Sequence, residues 1–151
     1  MQLTEHFSLE EFITSDFAVR HQLDNSPSPE TIANLGVLAQ GLERVRAVLG
    51  GRPIHVNSGY RCLALNTALK GAADSMHMRG LAADIVCPQF GAPLAVCRAI
   101  AGADFPTDEI IHEFGQWTHV AFAAPGSAPR GKRLTIAHDG RGYQTGLNAI
   151  V

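Results

Sequence analysis

Ser75-Met76-His77-Met78-Arg79-Gly80-Leu81-Ala82-Ala83-Asp84-Ile85-Val86 joins a polar, glycine-bounded loop to a short apolar run. The run from Leu81 to Val86 has strand character, and one of its residues does not match its neighbours. Period-two alternation puts Asp84 on the same face as Ala82 and Val86, where an unpaired carboxylate would cost several kcal/mol to bury. Asp84 therefore needs a partner, and a cation is the simplest one.

Upstream of this stretch the chain reads as helical. Phe7-Ser8-Leu9-Glu10-Glu11-Phe12 carries a helix start, with Ser8 as N-cap, Glu11 as its capping-box partner and Phe7 placed to staple against Phe12. A second start follows at Ser28-Pro29. From there Ile32, Leu35, Leu38, Leu42, Val45 and Leu49 recur at spacings of three and four, one apolar stripe on a helix that ends at Gly50-Gly51. Pro53 to Ser58 reads as a short strand stopped by Gly59, and Cys62 to Leu69 as a short helix.

Downstream, Pro93 to Ala101 reads as a helix, and Ile110–Phe114, Trp117–Phe122 and Arg133–Ala137 as strands separated by Gly and Pro turns. Helices first and then mostly strands predict an α+β domain with a small antiparallel sheet and flanking helices. No repeat, low-complexity tract or linker divides residues 1–151, so one domain is expected.

Composition narrows the classes of function. Hydrophobic residues make up 46% and charged residues 17%, a globular balance, and no apolar run approaches the roughly 20 residues of a membrane-spanning helix. Twelve Lys and Arg against fourteen Asp and Glu leave a formal charge of -2 with no basic block, which argues against a nucleic-acid partner. The cysteines, Cys62, Cys87 and Cys97, are odd in number and lack C-x-x-C spacing, so they are read as reduced, mostly core thiols. MQLTEHFSLEEF has neither a basic n-region nor an apolar h-region, and no ordinary secretory signal is expected from it.

A second strand repeats the anomaly of the first. In Trp117-Thr118-His119-Val120-Ala121-Phe122, alternation sets Trp117, His119 and Ala121 on one side and Thr118, Val120 and Phe122 on the other, so His119 projects from a rigid element. His77, Asp84 and His119 make a donor set suited to zinc with one open position. Taken singly, His77 also reads as a solvated loop residue and His119 as a hydrogen-bonded core histidine, because H-x6-D alone is a weak pattern.

Taken together, the segments are more specific. Ser58-Gly59-Tyr60-Arg61, Asn66, the S-x-H-x-x-G-x-A-x-D run from Ser75 to Asp84, and Trp117-Thr118-His119-Val120 resemble the zinc D-alanyl-D-alanine carboxypeptidases and related phage cell-wall peptidases. The HFSLEEF lead-in resembles the same family, as do Pro129-Arg130-Gly131-Lys132, Leu134-Thr135 and Tyr143. The resemblance implies a fold shared with the hedgehog signalling domain, His77, Asp84 and His119 as ligands of Zn2+, and a peptidoglycan peptide as substrate. Arg61 matches the arginine that the family uses on a substrate carboxylate or the developing oxyanion. Ser75 resembles a serine that bonds substrate near the zinc, and Trp117 is read as either a core aromatic or a wall of the cleft.

The general base is where the sequence departs from the pattern. Members of the wider group carry an acid three residues before the last histidine ligand, and here that position is Gln116. Glu113, six residues before His119, would share its face if the strand continued, although Gly115 favours a bulge or turn. Glu113 is the expected base, ahead of His112 and Asp108. Asn66 is expected to tie the Arg61 loop to its helix, and His6, His21, His55 and His138 match nothing in the family pattern. The expected activity is zinc-dependent hydrolysis of an amide bond in stem peptides, as a carboxypeptidase or an endolysin-type endopeptidase. Gln116 leaves room for a non-catalytic zinc module that recognises wall peptide or protein, and a metal-free phage structural protein is the third reading. The protein is expected to be a monomer, made in the cytoplasm and brought to the wall by phage-type release or on a particle.

Overall fold

The computed structural model describes all residues, Met1 to Val151. In chain order the elements are α1 (Leu9–Ile13), α2 (Asp16–Arg20), α3 (Pro29–Val48), β1 (His55–Ser58), α4 (Leu63–Ala68), a 3-10 turn (Met76–Arg79), β2 (Ala82–Val86), α5 (Pro93–Ala101), β3 (Glu109–Glu113), β4 (Trp117–Ala121), β5 (Lys132–Ile136) and β6 (Gln144–Thr145). The strands form one sheet in the order β1-β2-β4-β3-β5-β6. This is the α+β class with flanking helices that the element order predicts. No helix is long and apolar enough to cross a membrane.

One face of the sheet carries the core. Ala83 and Ile85 of β2, Ile110 of β3, and Val120 with Phe122 from β4 and its end pack with Leu35, Leu38, Leu42, Val45 and Leu49 of the α3 stripe, and Val96, Cys97 and Ile100 of α5 close the same cluster. The predicted caps form: Glu11 accepts from the Ser8 N–H at 3.2 Å, Phe7 and Phe12 stack with centroids 6.0 Å apart, and the Ser28 hydroxyl accepts from Thr31 N–H at 3.2 Å. All three cysteines are free thiols. Cys97 is buried against Thr118, whose hydroxyl donates to the Pro93 carbonyl at 3.1 Å and lies 3.3 Å from the Cys97 sulfur. Burial pushes this thiol up to about 11, so it stays protonated.

Four features go beyond the sequence reading. The loop between Gly71 and Gly80 contains the 3-10 turn, which Ser75 caps by accepting from His77 N–H at 3.2 Å. α2 and β6 are short elements below the reach of periodicity. Asn66 ties α4 to the following loop through its bond to the Ala72 carbonyl at 2.9 Å, rather than to the Arg61 loop. The sheet is also not wholly antiparallel, because β5 runs parallel to β3. β4 ends at Ala121 opposite Glu109, the first residue of β3, so the chain has only to step across β3 to begin another strand there. Asp108 pins the arrival point, accepting the Arg130 guanidinium at 2.7 Å through its carboxylate and Lys132 N–H at 3.0 Å through its carbonyl.

Candidate active site

The site lies on the face of the sheet opposite the core, where β2 and β4 are hydrogen-bonded neighbours. Their register sets Asp84 directly across from His119. A bulge in β1 between Val56 and Ser58 brings Ser58 opposite Asp84 as well. His77 arrives from the 3-10 turn, whose last residue is followed by Gly80 at φ +73°, the left-handed conformation that lets the chain reverse into β2.

His77, Asp84 and His119 are each buried, and one ligand atom from each lies within 4.8 Å of the other two. Asp84 Oδ1 is 3.2 Å from His77 Nε2 and 3.1 Å from His119 Nδ1. The outer nitrogens have their own neighbours. His77 Nδ1 is 2.7 Å from the Gly59 carbonyl, a contact that requires the proton on Nδ1, so that in the neutral ring Nε2 is the lone-pair nitrogen on the Asp84 side. His119 Nε2 lies 3.2 Å from Glu109, but the carboxylate is off the N–H direction and Nε2 is left buried without an aligned partner.

Arg61 enters from the β1–α4 loop, donating from Nε to the Ser58 hydroxyl at 3.1 Å and from Nη2 to Asp84 Oδ2 at 3.1 Å. These bonds leave Nη1 uncommitted. The loop is held from beneath by Asn25, which donates to the carbonyls of Ile13 and Tyr60 and accepts from Cys62 N–H at 2.7 Å. Gly59 is required there, since a Cβ would stand 2.5 Å from the Phe12 carbonyl oxygen. Asn25 sits in a turn-rich stretch that carries no pattern marking this task.

Glu113 is on the site face. Phe114 and Gly115 make a tight turn, with φ +57° and +67°, so the strand does not bulge and Glu113 pairs with Trp117. Its Oε1 is 3.8 Å from His119 Nδ1, and its Oε2 accepts from the Trp117 indole N–H at 3.1 Å. Trp117 is half-buried on the wall of the groove that also contains Arg61 and Asp84. The other candidate bases are elsewhere: His112 faces the core side and lies 2.9 Å from the Asn148 carbonyl, and Asp108 is committed to Arg130. Ser75 lines the cavity containing His77, Glu113 and His119. Gln116 is exposed in the turn. Sequence reasoning missed Glu109, although it lies four residues before Glu113, on the same face of the strand.

Electrostatics describe a site short of positive charge. Asp84, Glu109 and Glu113 surround two imidazoles and one guanidinium. Burial alone would raise Asp84, but His77 and His119 outweigh it and hold the carboxyl well below its usual range. Burial lowers His77. Burial would also lower His119, yet its contacts with Asp84 and Glu109 and the charge of Glu113 raise it to about 10. Burial and the nearby Asp84 carboxylate push Glu113 up to about 7.

The residues fit a zinc ion. Ligand atoms about 2.0–2.1 Å from a tetrahedral zinc lie roughly 3.3 Å from one another, and the 3.1 and 3.2 Å separations about Asp84 Oδ1 are close to that. A histidine nitrogen binds a metal only when deprotonated, so zinc on His119 Nδ1 would compete with the proton that Asp84 favours on this ring. The Gly59 carbonyl on His77 Nδ1 is an outer partner that aims this ring inward, while Glu109 stands beside His119 Nε2 without an aligned hydrogen bond.

Comparison with known proteins agrees with this arrangement. A stretch of 53 residues, 35% of the chain, is 42% identical to the zinc D-Ala-D-Ala carboxypeptidase of Streptomyces albus G and spans only 21% of that protein. The family model for peptidase M15 matches residues 5–121, a span that contains α1 through β4 and every residue of the histidine and carboxylate cluster. With most of its length inside that match, the chain belongs to the peptidase M15 family.

Proposed function

We propose that the protein is a zinc-dependent peptidase that hydrolyses an amide bond in peptidoglycan stem peptides, as a carboxypeptidase or an endolysin-type endopeptidase. The observation that carries the proposal is the convergence of His77 and His119 on one oxygen of Asp84, with Arg61 and Glu113 beside them. His77, Asp84 and His119 would hold the zinc, which supplies Lewis-acid polarisation of the scissile carbonyl and activation of water.

Glu113 is the general base. Its raised pKa, about 7, places it where a carboxylate accepts a proton from the attacking water and returns it to the leaving amine near neutrality. Trp117 fixes its orientation through Oε2, leaving Oε1 for the proton. Arg61, with Nη1 uncommitted, holds a substrate carboxylate or stabilises the developing oxyanion. Ser75 and Trp117 contact substrate from either side of the cluster.

The deciding experiment measures zinc content and turnover together. Protein carrying one zinc per chain should release amino acid or peptide from a panel of muropeptides, and chelation should stop the release. Zinc-loaded protein that binds muropeptides and leaves them intact would instead be the recognition module that Gln116 suggests. Glu113 at the cluster favours the enzyme, because it supplies the carboxylate that Gln116 does not.

A further inference from the structure

β1 is the end strand of the sheet, paired with β2 on one side and with no strand on the other. From His55 to Ser58 the backbone makes no hydrogen bond outside its ladder with β2. The loop just beyond is covered, because Tyr60 N–H donates to the Phe12 carbonyl at 2.7 Å. An antiparallel strand turns alternate N–H and C=O groups away from its neighbour, so β1 offers free main-chain donors and acceptors along its outer edge. Such edges are commonly blunted by proline or by charged side chains, yet His55-Val56-Asn57-Ser58 contains no proline, lysine, arginine or carboxylate.

The same four residues line a groove of about 760 Å3 that also contains Asp84, Arg61 and Trp117. The rest of its lining comes from α1, α2 and their junction, including Thr14, Asp16 and Phe17. Ser58 stands opposite Asp84 in the β1–β2 register, so the end of the free edge meets the metal-ligand cluster. A strand of this length spans roughly 13 Å, room for about four extended residues of a second chain. An unpaired edge that runs along a groove into a peptidase site complements one chemistry above others, the main chain of an extended peptide.

We infer that the free edge of β1 is the docking strand for substrate: a stem peptide lies extended along His55–Ser58, pairs with it through main-chain hydrogen bonds, and is led to the cluster at Ser58 and Asp84. The inference rests on the peptidase reading above and deepens it. Main-chain pairing sets the conformation and register of the substrate and leaves its side chains to the walls of the groove. Peptides long enough to pair should therefore be preferred over a dipeptide that carries the same scissile amide.

The test uses zinc-loaded Glu113→Gln protein, so that binding is read apart from turnover, and a synthetic stem peptide. With the peptide at saturation, amide hydrogen exchange in the His55–Ser58 segment should slow by about tenfold or more relative to the zinc-loaded protein alone. A matched set of peptides then carries an ester in place of one backbone amide at a time, each removing one N–H. In titration calorimetry the esters should weaken binding about fivefold at alternate positions and little at the positions between, since alternate N–H groups of a paired strand face the same neighbour. Binding that leaves exchange in β1 unchanged, or ester losses without that alternation, would overturn the inference. Cleavage by the unsubstituted protein without protection of β1 would sink the docking strand and leave the peptidase standing. Protection of β1 with alternating ester losses but no cleavage would do the reverse, and absence of binding would end both.

Discussion

The two faces of strands β2, β3 and β4 are built from alternating residues of the same short segments, yet they have opposite chemistry. Ala83, Ile85, Ile110 and Val120 face the helices and lie in a dry core. Asp84, Glu109 and His119, each one position away, and Glu113, three residues beyond Ile110, face a groove and form a cluster whose charges do not balance among themselves. The core face tolerates approximate chemistry, because apolar burial is non-directional and scales with area. The site face depends on particular atoms about 3 Å apart, and loss of one leaves the others buried without a partner. Damage to the first face should therefore appear as stability, and damage to the second as metal content and rate.

The strongest test of that contrast removes a proposed zinc ligand. Asp84→Asn or His119→Ala should reduce zinc from one per chain to a small fraction, read by metal analysis, and lower turnover at least about 10^3-fold, since the zinc chemistry is lost with the ion. A variant that kept both metal and rate would erase the distinction between the faces. Glu113→Gln should separate two functions within the site face: zinc stays bound, while kcat falls by about 10^2 to 10^4, the usual contribution of a general base. The pH profile of the unsubstituted protein sharpens the same point. As the proposed base, Glu113 would work when ionised, so kcat/KM should rise with pH and level off above its pKa, near 7 in the metal-free site and lower with a cation beside it.

On the other face, Leu38→Ala should destabilise the fold by about 2–5 kcal/mol in denaturant unfolding, because Leu38 is fully buried under the sheet. Zinc stoichiometry and kcat of the folded fraction should be little changed. A loss of zinc affinity on the scale of the ligand variants would mean the two faces are more tightly coupled than their packing suggests. The smallest expected effect is Trp117→Phe, which removes the indole N–H from Glu113 Oε2. That bond favours the ionised carboxylate, so its loss should move the acidic limb of kcat/KM to higher pH by a fraction of a unit, with zinc retained. A shift to lower pH would contradict the assigned contact.

The local elements were legible for local reasons. Ser8 with Glu11, Ser28 with Pro29, and the α3 stripe of Leu35, Leu38, Leu42 and Val45 are interactions within a few residues of chain, and the helices form where those patterns lie. Asp84 and His119 stood out because alternation placed a polar residue among apolar ones, and Glu113 followed from an even separation on the same face. Glu109 satisfied the same alternation but had no motif to single it out. Asn25 had no pattern at all, since its three bonds reach residues that are distant in the chain. The 3-10 turn under His77 and the parallel entry of β5 were likewise invisible, because neither is encoded in a repeating spacing.

The sequence by itself determined the kinds of element, the alternation that divides each strand into an apolar and a polar side, and the family to which the motifs point. Tertiary structure alone decided that β2 and β4 are neighbours with Asp84 opposite His119, that Arg61 reaches Asp84, and that Lys132 stands beside Glu109. Helix caps and side-chain periodicity act over a few residues along the backbone. Strand order and register arise from hydrogen bonds between segments tens of residues apart, and those follow from how the whole chain packs its one apolar face.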